Sequence, residues 1–409
     1  MENQTRKLFK LQGRIQHYSW GGSTYLSELL RMPNPQGRPF AEYWMGAHDN
    51  ASAEIATGDD RTTPLNEYIQ ADPNGTLGQQ VARRFGRLPF LLKILDVKDM
   101  LSIQVHPSKK HAELEFAEEN RRQIPRDAPN RNYKDDNHKP ELMVALSEFW
   151  LLHGFKSPDR MADILKNTPE LAFLLQVFEN QGYQALYQAV MEMDQRRVNE
   201  TLQPLLLRII PRYQQNLLTR QEEDFWAARA ALTYNRPGHI DRGIFSIYFF
   251  NLLHLYPGEA LFQDAGLPHA YMEGQNVEIM ANSDNVLRGG LTTKHIDVNE
   301  LLKHIRFEPT LPRVDKGTLL SEHMAVYLTP APDFELSRIT LSKGESLTLP
   351  SYSTGIYILM EGLASVTEAG QPAFYRKPGE SWLAFDGAQS TIQAADDAVI
   401  YRAAVPVIP

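Results

Sequence analysis

The chain changes character twice along its length. Up to residue 155 it runs in short apolar stretches broken by Gly, Pro and Asn. Two starts of another kind then follow, Ser157-Pro158 and Thr168-Pro169. Each sets a capping residue before a proline at the first helical position, where the missing N–H costs nothing. Thr219 with Glu222 reads as a capping box ahead of DFWAARAAL. Amphipathic segments such as VMEMDQRRVNETLQPLLLRII lie between them. Residues 157–234 therefore read as all-helical, and strand-like patterning resumes near Phe245.

On either side the pattern is β. LPFLLKILDV (88–97) and ELMVALSEFWLLHGF (141–155) carry apolar runs of strand length, as a sheet buried on both faces requires. YPGEALF (256–262), SKGESLTL (342–349) and KPGESWLAF (377–385) share a Gly-Glu step into an alternating apolar run. That step suits a hairpin entry needing a permissive glycine. The expected fold is mainly β with a helical insert: two jelly-roll β units plus an all-α domain. The first β unit takes residues 1–156 and 241–314, the helical domain 157–240, and the second β unit 315–409. The stretch LPSYSTGIYILMEGLASVT has no histidine, so the second β unit reads as chemically quiet.

Composition narrows the function classes. With 42% hydrophobic residues, the chain can bury a sizeable core. A formal net charge of −8 opposes nonspecific nucleic-acid binding, which needs basic stripes. Without cysteine there are no disulfides, and any metal must be held by His, carboxylate or amide oxygen. MENQTRKLFKLQGR lacks the apolar core of a secretory signal, and no apolar run approaches the roughly 18 residues of a membrane span. The expectation is a cytoplasmic monomer with a small-molecule partner and neither nucleic acid nor membrane.

Four stretches concentrate the polar residues. SIQVHPSKKHAEL (102–114) has Gln104 and His106 two apart, hence on one strand face, with Pro107 ending the strand. NYKDDNHKPELMVAL (132–146) has His138, Lys139 and Glu141 at the mouth of a buried run. DAGLPHAYMEG (264–274) has His269 after a Gly/Pro loop, and NVEIMANSDNVLRGGLTTKHIDVNEL (276–301) holds Asp284, Asn285, Arg288 and Lys294. Singly, each has a plain reading as a surface or turn residue. Together, a jelly roll brings side chains from several strands to one mouth. Gln104, His106, Glu141 and His269 then offer two imidazoles and two oxygens, a set that suits Zn²⁺. The same His106, Glu141 and His269 also fit an Fe(II) oxygenase triad, and a non-catalytic sugar-binding protein is the third reading.

SIQVHP, NHKPE, AGLPHAY and ANSDNVLRGGLTTKHIDVNEL, with YSWGG (18–22) and AEYWMGAH (41–48), resemble the type I mannose-6-phosphate isomerases, or phosphomannose isomerases, of the cupin superfamily. The likeness runs in blocks from residue 15 to 305, with the helical insert where that family has one. It implies two cupin-like β units, and one Zn²⁺ per chain on Gln104, His106, Glu141 and His269. It also implies an active-site Arg288 and interconversion of mannose 6-phosphate with fructose 6-phosphate through a cis-enediol. Gln263 and Asp264 stand where the family commonly has Ile-Pro, and residues 121–136 form a long charged loop. For the base, the candidates are His138, Lys139 and Asp284. For the phosphate they are Ser108, Lys109 and Arg288, with Lys93 behind them.

Overall fold

The computed structural model describes residues 6–58 and 61–406. The first five residues of the polar N-terminal stretch lie outside that range. A helical unit interrupts a β protein, as the sequence pattern suggests, but five helices, from Tyr25–Leu29 to Lys109–Arg121, also lie within the described part of the stretch read as β.

Among the described residues three sheets form the β part: one of ten strands, one of nine and one of four. The nine-stranded sheet lies between the other two. Along its strand Gly355–Glu361, Ile356 and Ile358 enter one apolar core with Leu92, Ile94 and Leu142 of the ten-stranded sheet. The alternate residues Tyr357 and Leu359 enter a second core with Val366 and Ile392 of the four-stranded sheet. A strand buried on both faces needs apolar residues at nearly every position; GIYILM supplies them, and AVIYRAA does so except at Arg402, which pairs with Glu335.

The middle sheet crosses the boundary expected at residue 315. Leu8–Gln12 pairs with Ser381–Ala384, Leu8 facing Ala384, and on its other edge with Glu54–Ala56. The opening strands of the first β unit thus complete the sheet of the second. All three Gly-Glu turns form with the glycine in the left-handed region, Gly258, Gly344 and Gly379 at φ 87°, 89° and 82°. None is the hairpin expected: the strands on either side of each turn pair with other strands and not with one another. In each, the glutamate carboxylate accepts the N–H three residues back: Glu259 from Tyr256, Glu345 from Ser342 and Glu380 from Lys377.

The helical unit packs Leu202, Leu205, Ile209 and Trp226 against Ile103, Val105 and Phe155 of the ten-stranded sheet. Ser157 caps Pro158–Asn167 by accepting from the Arg160 N–H. Thr168 makes no such bond, and a 3₁₀ turn, Pro169–Leu174, follows it. At Thr219 only half of the box forms: Glu222 reaches back to the Thr219 N–H, and the helix begins at Glu223. The expectation of β structure from Phe245 is overturned. GIFSIYF is a helix, Gly243–Phe249, buried on every side, and the strand Phe250–Leu255 starts after it. An apolar run with no polar face carries no period to tell helix from strand.

The 13-residue strand His269–Ala281 organises the ten-stranded sheet, pairing with Phe90–Val97, Ile103–Val105, Glu141–Ala145 and Phe149–Phe155. Every residue that the metal reading names lies on, or one residue from, this strand or its partners. Among the described residues no helix is long and apolar enough to cross a membrane.

Candidate metal centre and active-site cavity

Residues far apart in sequence meet through sheet register. Gln104 faces His269 on one side of its short strand and Arg288 on the other. Glu141 opens its strand between Gln263 and Met280. His106 follows the Ile103–Val105 strand by one residue, and Pro107 stops the ladder there.

His106, Glu141 and His269 are all buried, and their ligand atoms form one cluster. The Glu141 carboxylate lies between the imidazoles, Oε1 at 3.4 Å from His106 Nε2 and Oε2 at 3.3 Å from His269 Nε2. Each ring is oriented from behind: His106 Nδ1 lies 2.8 Å from the Asn285 carbonyl, and His269 Nδ1 lies 2.9 Å from that of Leu267. A ring whose Nδ1–H donates to a carbonyl presents a lone pair on Nε2, the tautomer a metal requires. His106 Nε2 is buried with no hydrogen-bond partner. Burial holds the His106 imidazole down to about 4, so the ring is neutral at physiological pH. Burial alone would raise the Glu141 carboxyl, but Lys139 and His106 outweigh it and hold it well below the usual carboxylate range. Two imidazoles, one carboxylate and an orphaned buried nitrogen fit a bound divalent ion, with the Gln104 amide as the adjacent fourth donor.

A cavity of about 1190 Å³ opens above this cluster. Gln104 and Lys139, the immediate neighbours of the buried set, are in its wall. Lys139 Nζ lies 2.8 Å from Glu141 Oε1. Arg288, Asp284 and Lys294 also line it. Arg288 is half-buried, and its guanidinium makes no hydrogen bond or ion pair with any described residue; burial lowers its pKa. Lys294 stands exposed at the rim, also without an acidic partner among the described residues. Burial first, and then the charge of Arg288, lower its pKa. Burial raises the Asp284 carboxyl, but His48, at 3.3 Å, and the charges of Lys139 and Lys93 hold it below its ordinary value.

Three expected site residues lie elsewhere, and a fourth is engaged. Ser108 caps the helix Lys109–Arg121 and bonds the His111 ring, while Lys109 reaches the Asp136 carbonyl and Glu113. Neither lines the cavity; of the helix that Ser108 caps, only Phe116 does. His138, read as a base candidate, faces Asp333 of the second β unit at 2.8 Å and not the cavity. Lys93 does line it, but its charge is met by Glu278 at 3.0 Å and Glu42 at 3.3 Å. The charged loop 121–136 gains a place: Arg126, Lys134 and Asp135 line the cavity, and Asp135 accepts from the Asp284 N–H and Ser283 Oγ. Of the family departures, Gln263 is fully buried opposite Glu141, and Asp264 pairs with Arg306.

Sequence reasoning gave no role to Lys294, His48, Trp44, Glu42 or Glu278. Lys294 was visible, six residues after Arg288 in the same polar block. The others sit within or beside apolar strands, where nothing separates a cavity wall from a core.

The architecture and the site together define a metal-binding β protein of the cupin type. A profile of the phosphomannose isomerase type I catalytic domain matches residues 8–158. Mannose-6-phosphate isomerase of Salmonella typhimurium is 38% identical over 93% of this chain and 95% of its own. That of Homo sapiens is 33% identical over 97% and 98%. A crystal structure of the Salmonella enzyme bound to its substrate, fructose 6-phosphate, and to zinc superposes with a TM-score of 0.86 at 34% identity, covering 98% of this chain and all of that one. The chain belongs to the type I mannose-6-phosphate isomerase (phosphomannose isomerase) family, and it is an isomerase. The oxygenase and non-catalytic readings are set aside.

Proposed function

We propose that this chain interconverts mannose 6-phosphate and fructose 6-phosphate through a cis-enediol, with one Zn²⁺ held by Gln104, His106, Glu141 and His269. The unpartnered, buried Nε2 of His106 within the His-Glu-His cluster carries this reading. Zinc, when bound, acts as a Lewis acid toward the negative charge that develops on the sugar oxygens. The remaining work belongs to the chain. Arg288 and Lys294, two cations with no acidic partner among the described residues, clamp the phosphate dianion, and Arg288 presents a bidentate fork for it. The wall of the cavity removes part of the solvent from the reacting carbons.

The proton lost from one carbon and returned to the other needs an ionised acceptor in the cavity. Asp284 meets that condition, since its carboxyl is held in the charged form and lines the wall. Lys139 also lines the wall, but it is bound to Glu141 and serves to hold that ligand. His138 is turned away. A coupled assay on mannose 6-phosphate tests the reaction: activity is expected in zinc-loaded protein, and its absence there would overturn the assignment. For the base, Asp284→Asn should lower kcat by about two orders of magnitude with KM little changed. An unaltered kcat would return the role to Lys139.

A further inference from the structure

Asp241 lies where the helical unit rejoins the β part, between the helices Glu223–Tyr234 and Gly243–Phe249. Its side chain is buried, 4% exposed, and makes no ion pair with any described residue. The carboxylate is spent on backbone: Oδ1 accepts the N–H of Gly243 at 2.7 Å and of Leu291 at 2.8 Å, and Oδ2 accepts that of Thr292 at 3.1 Å. Leu291 is in the left-handed region, φ 53°, directly after Gly290 at φ 135°. A leucine holds that conformation only when its surroundings fix it.

The same turn is pressed on the helical unit at three consecutive positions. A Cβ at Gly290 would fall 2.4 Å from Gly243 Cα, and one at Gly289 would fall 2.9 Å from the Tyr187 hydroxyl. Leu291 supplies the N–H bonded by Asp241. Arg288 precedes this turn and Lys294 follows it. We propose that Asp241 is a positioning residue: by holding the left-handed Leu291 turn it sets the separation of Arg288 and Lys294, and so the fit of the phosphate. The helical unit thereby takes part in substrate recognition without touching substrate. The inference rests on Arg288 and Lys294 being the phosphate clamp.

The test uses the full-length, zinc-loaded protein. Asp241→Asn keeps the side-chain shape but turns an amide group toward an N–H donor. It should raise KM for mannose 6-phosphate by about tenfold with kcat changed less than about threefold, at unchanged zinc content. Competitive inhibition by inorganic phosphate should weaken in parallel. In a Lys294→Ala background the same change should add less than about a factor of two, because the clamp is already broken. Gly290→Ala displaces the turn from the Gly243 side with Asp241 intact and should give the same KM signature, and it decides the matter if Asp241→Asn fails to fold. An unchanged KM in a folded, zinc-loaded variant, or an equal loss in both backgrounds, overturns the positioning claim. If Lys294→Ala and Arg288→Ala leave phosphate inhibition unchanged, the clamp itself is wrong and the proposal falls with it. If they weaken it and Asp241→Asn does not, only the positioning claim is lost.

Discussion

Arg288 stands directly opposite Gln104 across one ladder, and Gln104 stands opposite His269 across the next. This single rung runs from an imidazole of the metal cluster, through a neutral amide, to an unpaired guanidinium. Two strand spacings separate its ends by roughly 10 Å of backbone. With the proposed phosphate clamp, a sugar phosphate laid along it would have its reacting carbons at one end and its charged group at the other.

The first prediction follows from that separation. Arg288→Ala should lower kcat/KM for mannose 6-phosphate by about 10²-fold or more, mainly through KM, while bound zinc stays near one per chain. Metal analysis beside a coupled assay checks it. Loss of zinc in the variant would mean that Arg288 holds the rung together and takes no part in binding substrate.

Chelation acts at the opposite end. EDTA should abolish activity and added Zn²⁺ should restore it. His106→Ala should lose both metal and activity, with no rescue by zinc, because it removes a buried ring nitrogen left without a partner. Activity that persists in metal-free protein would refute the site.

Acid stability depends on a group outside the cavity. Glu300 bonds the Tyr133 hydroxyl at 2.7 Å, Lys303 at 2.6 Å and His304 at 3.1 Å. Burial raises its carboxyl, but those bonds win and hold it at about 2, against an ordinary 4.5. A carboxyl depressed on folding stabilises the protein above its unfolded pKa, and that stability is lost as pH falls through the folded value. Discounted for its exposed Lys303 partner, the contribution is on the order of 1–2 kcal/mol. Urea midpoints for Glu300→Gln should lie below wild type at pH 7 and converge with it between about pH 4.5 and 2. A gap independent of pH would count against the assignment.

The shared sheet gives a further test. Phe9 is 4% exposed and packs edge-on against Tyr68 and Phe385, which joins the first residues to the second β unit. Phe9→Ala should cost about 3–5 kcal/mol in urea unfolding. A cost below about 1 kcal/mol would show that the N-terminal strand is a loose edge.

What the sequence showed and what it concealed have physical reasons. His106 and Glu141 were legible because a polar residue beside a buried apolar run must have a partner or a function. The helical unit was legible from Ser157-Pro158, although Thr168-Pro169 begins a 3₁₀ turn and the capping at Thr219 is partial. Ser108 misled because a serine before a helix is a cap as readily as a phosphate ligand, and the local sequence is the same for both. His138 misled because its partner, Asp333, is nearly two hundred residues away in a unit read as chemically quiet. Glu42 and Glu278 escaped notice because their shared lysine, Lys93, lies on a third strand, and only register brings the three together.

The pairing of Leu8 with Ala384 sets an order of events in the life of the molecule. The strand Leu8–Gln12 can complete its hydrogen bonds only once its partner Ser381–Ala384 has been made, Ser381 lying 370 residues beyond Leu11. Closing so long a loop delays formation of the middle sheet, and contacts of this kind slow folding. Until then the inner faces of both β units lie bare, so the nascent chain passes through an interval of exposed apolar surface during which chaperone contact is most valuable. The same stitch joins the beginning of the chain to its last strands, and neither β unit can come apart alone without breaking a sheet that belongs to both.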